Sequence, residues 1–169
     1  MNKPFPEECN PFYHHYIDLV TETNSIDALE NSGRNLLHTL RMLPDHKGKH
    51  AYAEGKWSIN DLVQHMIDSE IVFLYRALRI ARGDKTPLAG FEQDDYVIAA
   101  QADYKPLGEL IKQFSQTREL TVSLFKGFDP NSETNSGIAN GGEISLRALA
   151  FIISGHCQHH HTILKERYL

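Results

Sequence analysis

An all-α protein folded as a four-helix bundle is what this chain predicts, and three observations carry the prediction. Apolar residues return at intervals of three and four through four long stretches. Nowhere do apolar and polar residues alternate strictly enough to make a half-buried strand. Proline, glycine and polar clusters separate the four stretches. With 169 residues, the chain suits one domain, residues 1–169, with a short N-terminal helical arm.

Asn10-Pro11-Phe12 opens the helix of the arm, which runs to about Thr21. Ser25 is placed as the N-cap of the first long helix, which ends before Pro44 and turns Ile26, Leu29, Leu36, Leu37, Leu40 and Leu43 to the core. A loop from Pro44 to Lys56 follows. Ser58 caps the second long helix, with Asp61 three residues on completing a capping box. Leu62, His65, Met66, Ser69, Val72, Phe73, Arg76, Ala77 and Ile80 keep its period to about Arg82, where Gly83-Asp84 interrupts. A long connection comes next, in which Asp94 to Ala100 forms one short helical turn across a bundle end.

Pro106 suits the first turn of the third helix, whose stripe of Leu107, Leu110, Ile111, Phe114, Arg118 and Thr121 ends near Gly127. Asp129 to Gly142, polar and rich in glycine, reads as loop. Ser145 then caps a fourth helix that continues to Tyr168-Leu169. Connections of this length can cross a bundle end.

Composition excludes several classes of function. Hydrophobic residues make up 41% and charged residues 23%, and no stretch approaches the roughly 20 apolar residues needed to span a bilayer. A net charge of -5 with no block of Lys or Arg argues against nucleic acid as a partner. The N-terminal segment shows no secretory signal. Cys9 and Cys157 lie far apart without a CxxC pair, which suits free thiols in the cytoplasm.

Ten histidines are the anomaly, and four of them lie between 156 and 161. Leu149, Ile153, His156, His160 and Ile163 share one helical stripe, so His156 and His160 point into the core one turn apart. Buried imidazoles need partners for both ring nitrogens. At i and i+4 the two rings can share a divalent metal, and His65, on the buried stripe of the second helix at matching depth, is the candidate third ligand; taken alone it reads as a core histidine. Three neutral imidazoles leave a coordination position open for hydroxide or a substrate thiolate, a catalytic set rather than a structural one.

Around this trio, Asp68 and Glu70 are the candidate catalytic carboxylates, as a ligand-orienting group or as a base for bound water; the bland reading makes each an ion-paired or capping residue. Arg76, on the same stripe, suits either a substrate carboxylate or an acid of its own chain. His159 rims the site, and His161 faces solvent or a subunit interface. Cys157 is read as packing, and His14, His15, His38, His46 and His50 as solvated.

These residues give the chain a resemblance to the DinB-like superfamily, in particular to its bacillithiol-transferase and metal-dependent hydrolase branch. The resemblance covers nearly the whole chain and rests on Tyr52-Ala53-Glu54-Gly55-Lys56-Trp57-Ser58-Ile59, His65-Met66-Ile67-Asp68-Ser69, Gly90-Phe91-Glu92-Gln93-Asp94 and Gly155-His156-Cys157-Gln158-His159-His160. Cys157 and Gln158 depart from the expected pattern without touching the ligands. The resemblance implies an up-down-down-up bundle, nickel or zinc on His65, His156 and His160, a homodimer, and transfer of a small thiol to an electrophile. Hydrolysis by metal-bound hydroxide, a non-catalytic stress-response module and a structural dimerisation protein are the alternatives, since one fold hosts many activities.

Overall fold

Helix starts are set by side chains that satisfy the free N–H groups of a first turn. In the computed structural model, which describes residues 1–169, these helices are α1 His14–Leu19, α2 Ser25–Arg41, α3 Ile59–Ala81, α4 Gln93–Ala100, α5 Leu107–Gly127 and α6 Leu146–Ile163. Ser58 and Asp61 form the expected box, with each backbone N–H 3.0 Å from the other residue's side-chain oxygen. Ser145 caps α6 by accepting from the Ala148 N–H at 3.1 Å.

Several boundaries move. Asn24, not Ser25, caps α2, because Asn24 is extended and its side chain accepts from the Ile26 N–H. Pro106 is the residue just ahead of α5 rather than a member of its first turn. α4 is two turns long, not one. The arm is shorter as a helix than expected: two 3-10 turns lead into α1, and Val20 is already extended.

The loop expected over Asp129 to Gly142 contains a hairpin, β1 Ser136–Ala139 and β2 Gly142–Ser145, with Ser136 opposite Ser145 and Ala139 opposite Gly142. Asn140 and Gly141 make its turn at φ 51 and 75. A two-residue turn of this hand needs positive φ at both positions, where Asn and Gly are the least strained residues. Strands of four residues are too short to show alternation. Leu88 pairs along β1, donating to the Ile138 carbonyl at 2.9 Å and accepting from the Asn140 N–H at 3.0 Å.

Hydrogen bonds between elements fix the helix directions. Ser58 and Asn60, at the start of α3, bond to Asp103 and Lys105 just ahead of α5, and Asn135, beyond the end of α5, donates to Ile80 near the end of α3. α3 and α5 are therefore parallel. Asp45, just past α2, accepts from Gly108 at the start of α5, while Tyr168, past α6, bonds to Trp57 ahead of α3. α2 and α6 thus run the other way, which gives the order up-down-down-up. α2 packs on α5 and α6, and α3 packs on the same two.

The core has two apolar halves. One gathers the arm, the hairpin and residues such as Leu29, Phe73, Phe125 and Phe151; the other holds Leu36, Leu62, Phe114 and Leu164. Between them in each of α2, α3 and α5 lies a buried polar residue: Ser32, Glu70 and Arg118. Arg118 donates to both Glu70 oxygens at 2.8 Å, to the Leu29 carbonyl at 2.6 Å and to Ser32 Oγ at 2.9 Å. At Gly155, a Cβ would stand 1.9 Å from the Tyr16 carbonyl oxygen, so α1 crosses α6 at backbone contact.

Removing one member of the buried pair strands the other charge in low dielectric. Glu70→Leu is expected to lower stability by about 3–5 kcal/mol in urea unfolding, and Glu70→Leu with Arg118→Met to recover much of that loss.

Candidate metal centre

α3 and α6 are antiparallel neighbours, so a residue near the start of one meets residues near the end of the other. The capping box at Ser58 sets His65 two turns into α3, and His156 and His160 stand one turn apart toward the end of α6. All three are buried. Nε2 of His156 lies 3.1 Å from Nε2 of His65 and 3.1 Å from Nε2 of His160, and the donor atoms of the trio lie within 4.8 Å of one another.

Three ring nitrogens therefore face one point. A neutral imidazole carries one N–H and one lone pair, so hydrogen bonds among the three cannot give every nitrogen a partner, and His160 Nδ1 is buried with none. A divalent cation would accept all three Nε2 lone pairs. Burial pulls His65 down to about 4, against an opposing pull from the Asp94 carboxylate. Burial, reinforced by His65 and His159, takes His160 to about 2. His156 is driven well below its ordinary value by burial and by His160 and His65. The rings are thus held neutral, the form that ligates, and the donor set fits a divalent metal.

Aromatic rings wall the trio. Trp57 lies 4.9 Å from the His65 ring, Tyr16 5.3 Å and Phe73 6.0 Å from the His156 ring. Two cavities adjoin it. The larger, about 730 Å³, is lined by Tyr52, Trp57, Val97, Tyr104 and Tyr168 and reaches His160. The smaller, about 270 Å³, is lined by Tyr16, Phe73, Arg76 and Asn140 and reaches His156. Asp94, in the first turn of α4, borders both.

The structure gives the two expected carboxylates other partners. Glu70 is buried with both oxygens bonded to Arg118, which leaves neither free to take a proton from a bound water. Asp68 accepts from Gln64 at 2.8 Å, and Gln64 accepts from Lys105 at 2.9 Å. Burial raises the Asp68 carboxyl above its ordinary value, and neither Asp68 nor Glu70 lines either cavity. Asp94 is the carboxylate that borders both cavities, a position that sequence reasoning did not assign to it. Its place beside Asp95 in an exposed short helix offered no periodic signal.

His159 is half-buried, its ring 4.9 Å from that of His160, at the edge of the trio as expected. His161 is half-buried, its Nε2 2.8 Å from Thr39 Oγ1 on α2. Cys157 packs against α2, its Sγ 3.5 Å from the Ser32 carbonyl. His15, His38, His46 and His50 are exposed, and His14 is half-buried with Nε2 2.9 Å from the Pro6 carbonyl.

Residues 28–164 match the family model described as the DinB superfamily. A relative in Oceanobacillus iheyensis, named as a candidate metal-dependent hydrolase, is 28% identical over 137 residues, spanning 80% of this chain and 78% of its own. Among solved structures, YfiT from Bacillus subtilis, described as a probable metal-dependent hydrolase with an unusual four-helix bundle topology, gives a TM-score of 0.74 at 15% identity and covers 84% of this chain and 82% of its own. The mycothiol-dependent maleylpyruvate isomerase gives 0.70 at 13% identity over 82% of this chain and 58% of its own. At these identities the structural matches establish a common fold. The family match spans most of the chain and contains all three clustered histidines, and the chain belongs to the DinB superfamily.

Proposed function

We propose that His65, His156 and His160 hold one divalent cation, zinc or nickel, and that the protein is an S-transferase moving a low-molecular-weight thiol onto an electrophile. The observation that carries this reading is the convergence of three neutral imidazoles between two cavities, room for two organic substrates rather than one. A bound cation would lower the pKa of the thiol so that the thiolate is the nucleophile near neutral pH. Asp94, at the edge common to both cavities, takes the S–H proton. The sulfur electron pair forms the new C–S bond as the leaving group departs with its own pair. Trp57, Tyr16 and Phe73 exclude water from the reacting sulfur.

The larger, more apolar cavity suits the electrophile and the smaller suits the thiol. Buried, unpaired Cys9 and Cys157 support a reducing compartment, and we place the protein in the cytoplasm, as a homodimer. No helix is long and apolar enough to cross a membrane. A second reading is hydrolysis by an activated water with Asp94 as base, favoured by the names of the Oceanobacillus and Bacillus relatives.

Elemental analysis of protein grown with zinc and nickel is expected to find one metal per chain. His160→Ala is expected to weaken metal binding and thiol transfer to an activated aryl halide by more than about 100-fold, and exposed His38→Ala to leave both unchanged. Turnover that needs no thiol would move the assignment to the hydrolytic reading.

Metal removal makes the buried rings a liability in acid. His65 is held at about 4 against an ordinary 6.5, so between those values the unfolded chain binds more protons than the folded one. Stability of the metal-free protein is therefore fully present above pH 6.5 and lost as pH falls toward 4, by up to about 1.4 kcal/mol per pH unit for this ring. Thermal unfolding of the chelated protein from about pH 7 to about pH 4 reads that slope together with the contributions of His156 and His160, and His65→Gln is expected to make it shallower without abolishing it.

A further inference from the structure

Three arginines are buried in this chain: Arg76 at 2% exposure, Arg118 at 5% and Arg147 at 9%. Two of them are matched by a glutamate. Arg118 grips Glu70 through two nitrogens, and Arg147 does the same to Glu8. Arg76 makes no ion pair. Its one hydrogen bond runs from Nη2 to the Ala89 carbonyl at 2.8 Å, and its guanidinium carbon stands 5.8 Å from the Phe73 ring centroid. A guanidinium has five N–H donors, so most of this one is left for something else. A buried cation without a counter-charge is costly.

Arg76 lines the 270 Å³ cavity that reaches His156. Phe73 neighbours both, its ring centroid 5.8 Å from the guanidinium carbon and 6.0 Å from the His156 ring, so Arg76 and His156 face one cavity around a single aromatic ring. The wall is held in place: Ala89 follows Leu88, which is hydrogen-bonded to the hairpin on both its N–H and its carbonyl. Glu92 and Asp94 also line the cavity, but both are exposed and neither pairs with Arg76.

Building on the transferase reading, we propose that the smaller cavity is a carboxylate subsite and that the thiol is a small organic acid. Arg76 holds its carboxylate through charge-assisted N–H···O bonds while its sulfur reaches the histidine trio. Arginine supplies the planar pair of donors that a carboxylate matches. The other two buried arginines already use this geometry within the chain.

Three probes test this by calorimetry: 3-mercaptopropionate, which carries both groups, 2-mercaptoethanol, a thiol without the acid, and propionate, the acid without the thiol. On zinc-loaded protein, 3-mercaptopropionate is expected to bind at least about tenfold more tightly than 2-mercaptoethanol. The preference is expected to vanish in Arg76→Met and survive in part in Arg76→Lys, with zinc content unchanged in both. Equal affinity for the two thiols in the wild-type protein overturns the proposal without any variant. A preference retained in a folded Arg76→Met also overturns it.

Propionate is measured on metal-free protein, where binding that depends on Arg76 reports the subsite apart from the metal. If zinc fails to load, the metal reading falls while this measurement still decides the subsite. If propionate on the zinc-loaded protein matches 3-mercaptopropionate, the carboxylate belongs to the electrophile, and the assignment to the thiol is overturned.

Discussion

Arg118 ties three of the four long helices together at mid-height, and the three-histidine cluster depends on the register it fixes. Its bonds reach Glu70 on α3 and Ser32 and the Leu29 carbonyl on α2, so neither helix can slide or turn without breaking a charge-assisted contact in a dry interior. His65 precedes Glu70 by five residues on the same rigid rod. A slip of one residue turns a helical side chain by about 100°, enough to swing that ring away from α6. The ion pair adds little net stability by itself, and its value here lies in specifying one arrangement of the rods.

Within that frame the trio is an unusual piece of core. Nonpolar side chains of similar size would pack there without leaving ring nitrogens unmatched. Trp57, Tyr16 and Phe73 pack around the rings, and burial suppresses the charge that imidazoles would otherwise take up in mild acid. Rings held neutral keep their lone pairs available to a cation. The two flanking cavities differ in character: one is broad and aromatic, the other small and lined by a buried guanidinium.

Much of this was legible in the sequence wherever a short-range rule determines the outcome. The His156–His160 pair declared itself by sitting on the Leu149–Ile163 stripe, and His65 by its depth below the Ser58 cap. The bundle followed from four periodic stretches. Features set by distant partners were not legible: Glu70 meets Arg118 across 48 residues, and His161 meets Thr39 across 122. The Asn140-Gly141 hairpin was open to reading, because that dipeptide favours a tight reverse turn, but its strands were too short and polar to reinforce the signal. Asp94 reached the site through the course of a long crossover, which composition does not dictate.

The bare backbone at Gly155 has a consequence for how this architecture diversifies. With no Cβ in the way, the arm lies directly on α6 and brings Tyr16 over His156. One wall of the smaller cavity thus comes from a segment that belongs to none of the four rods. Such a segment can change length and composition while the scaffold beneath keeps its packing, which lets the lining of that cavity drift independently of folding.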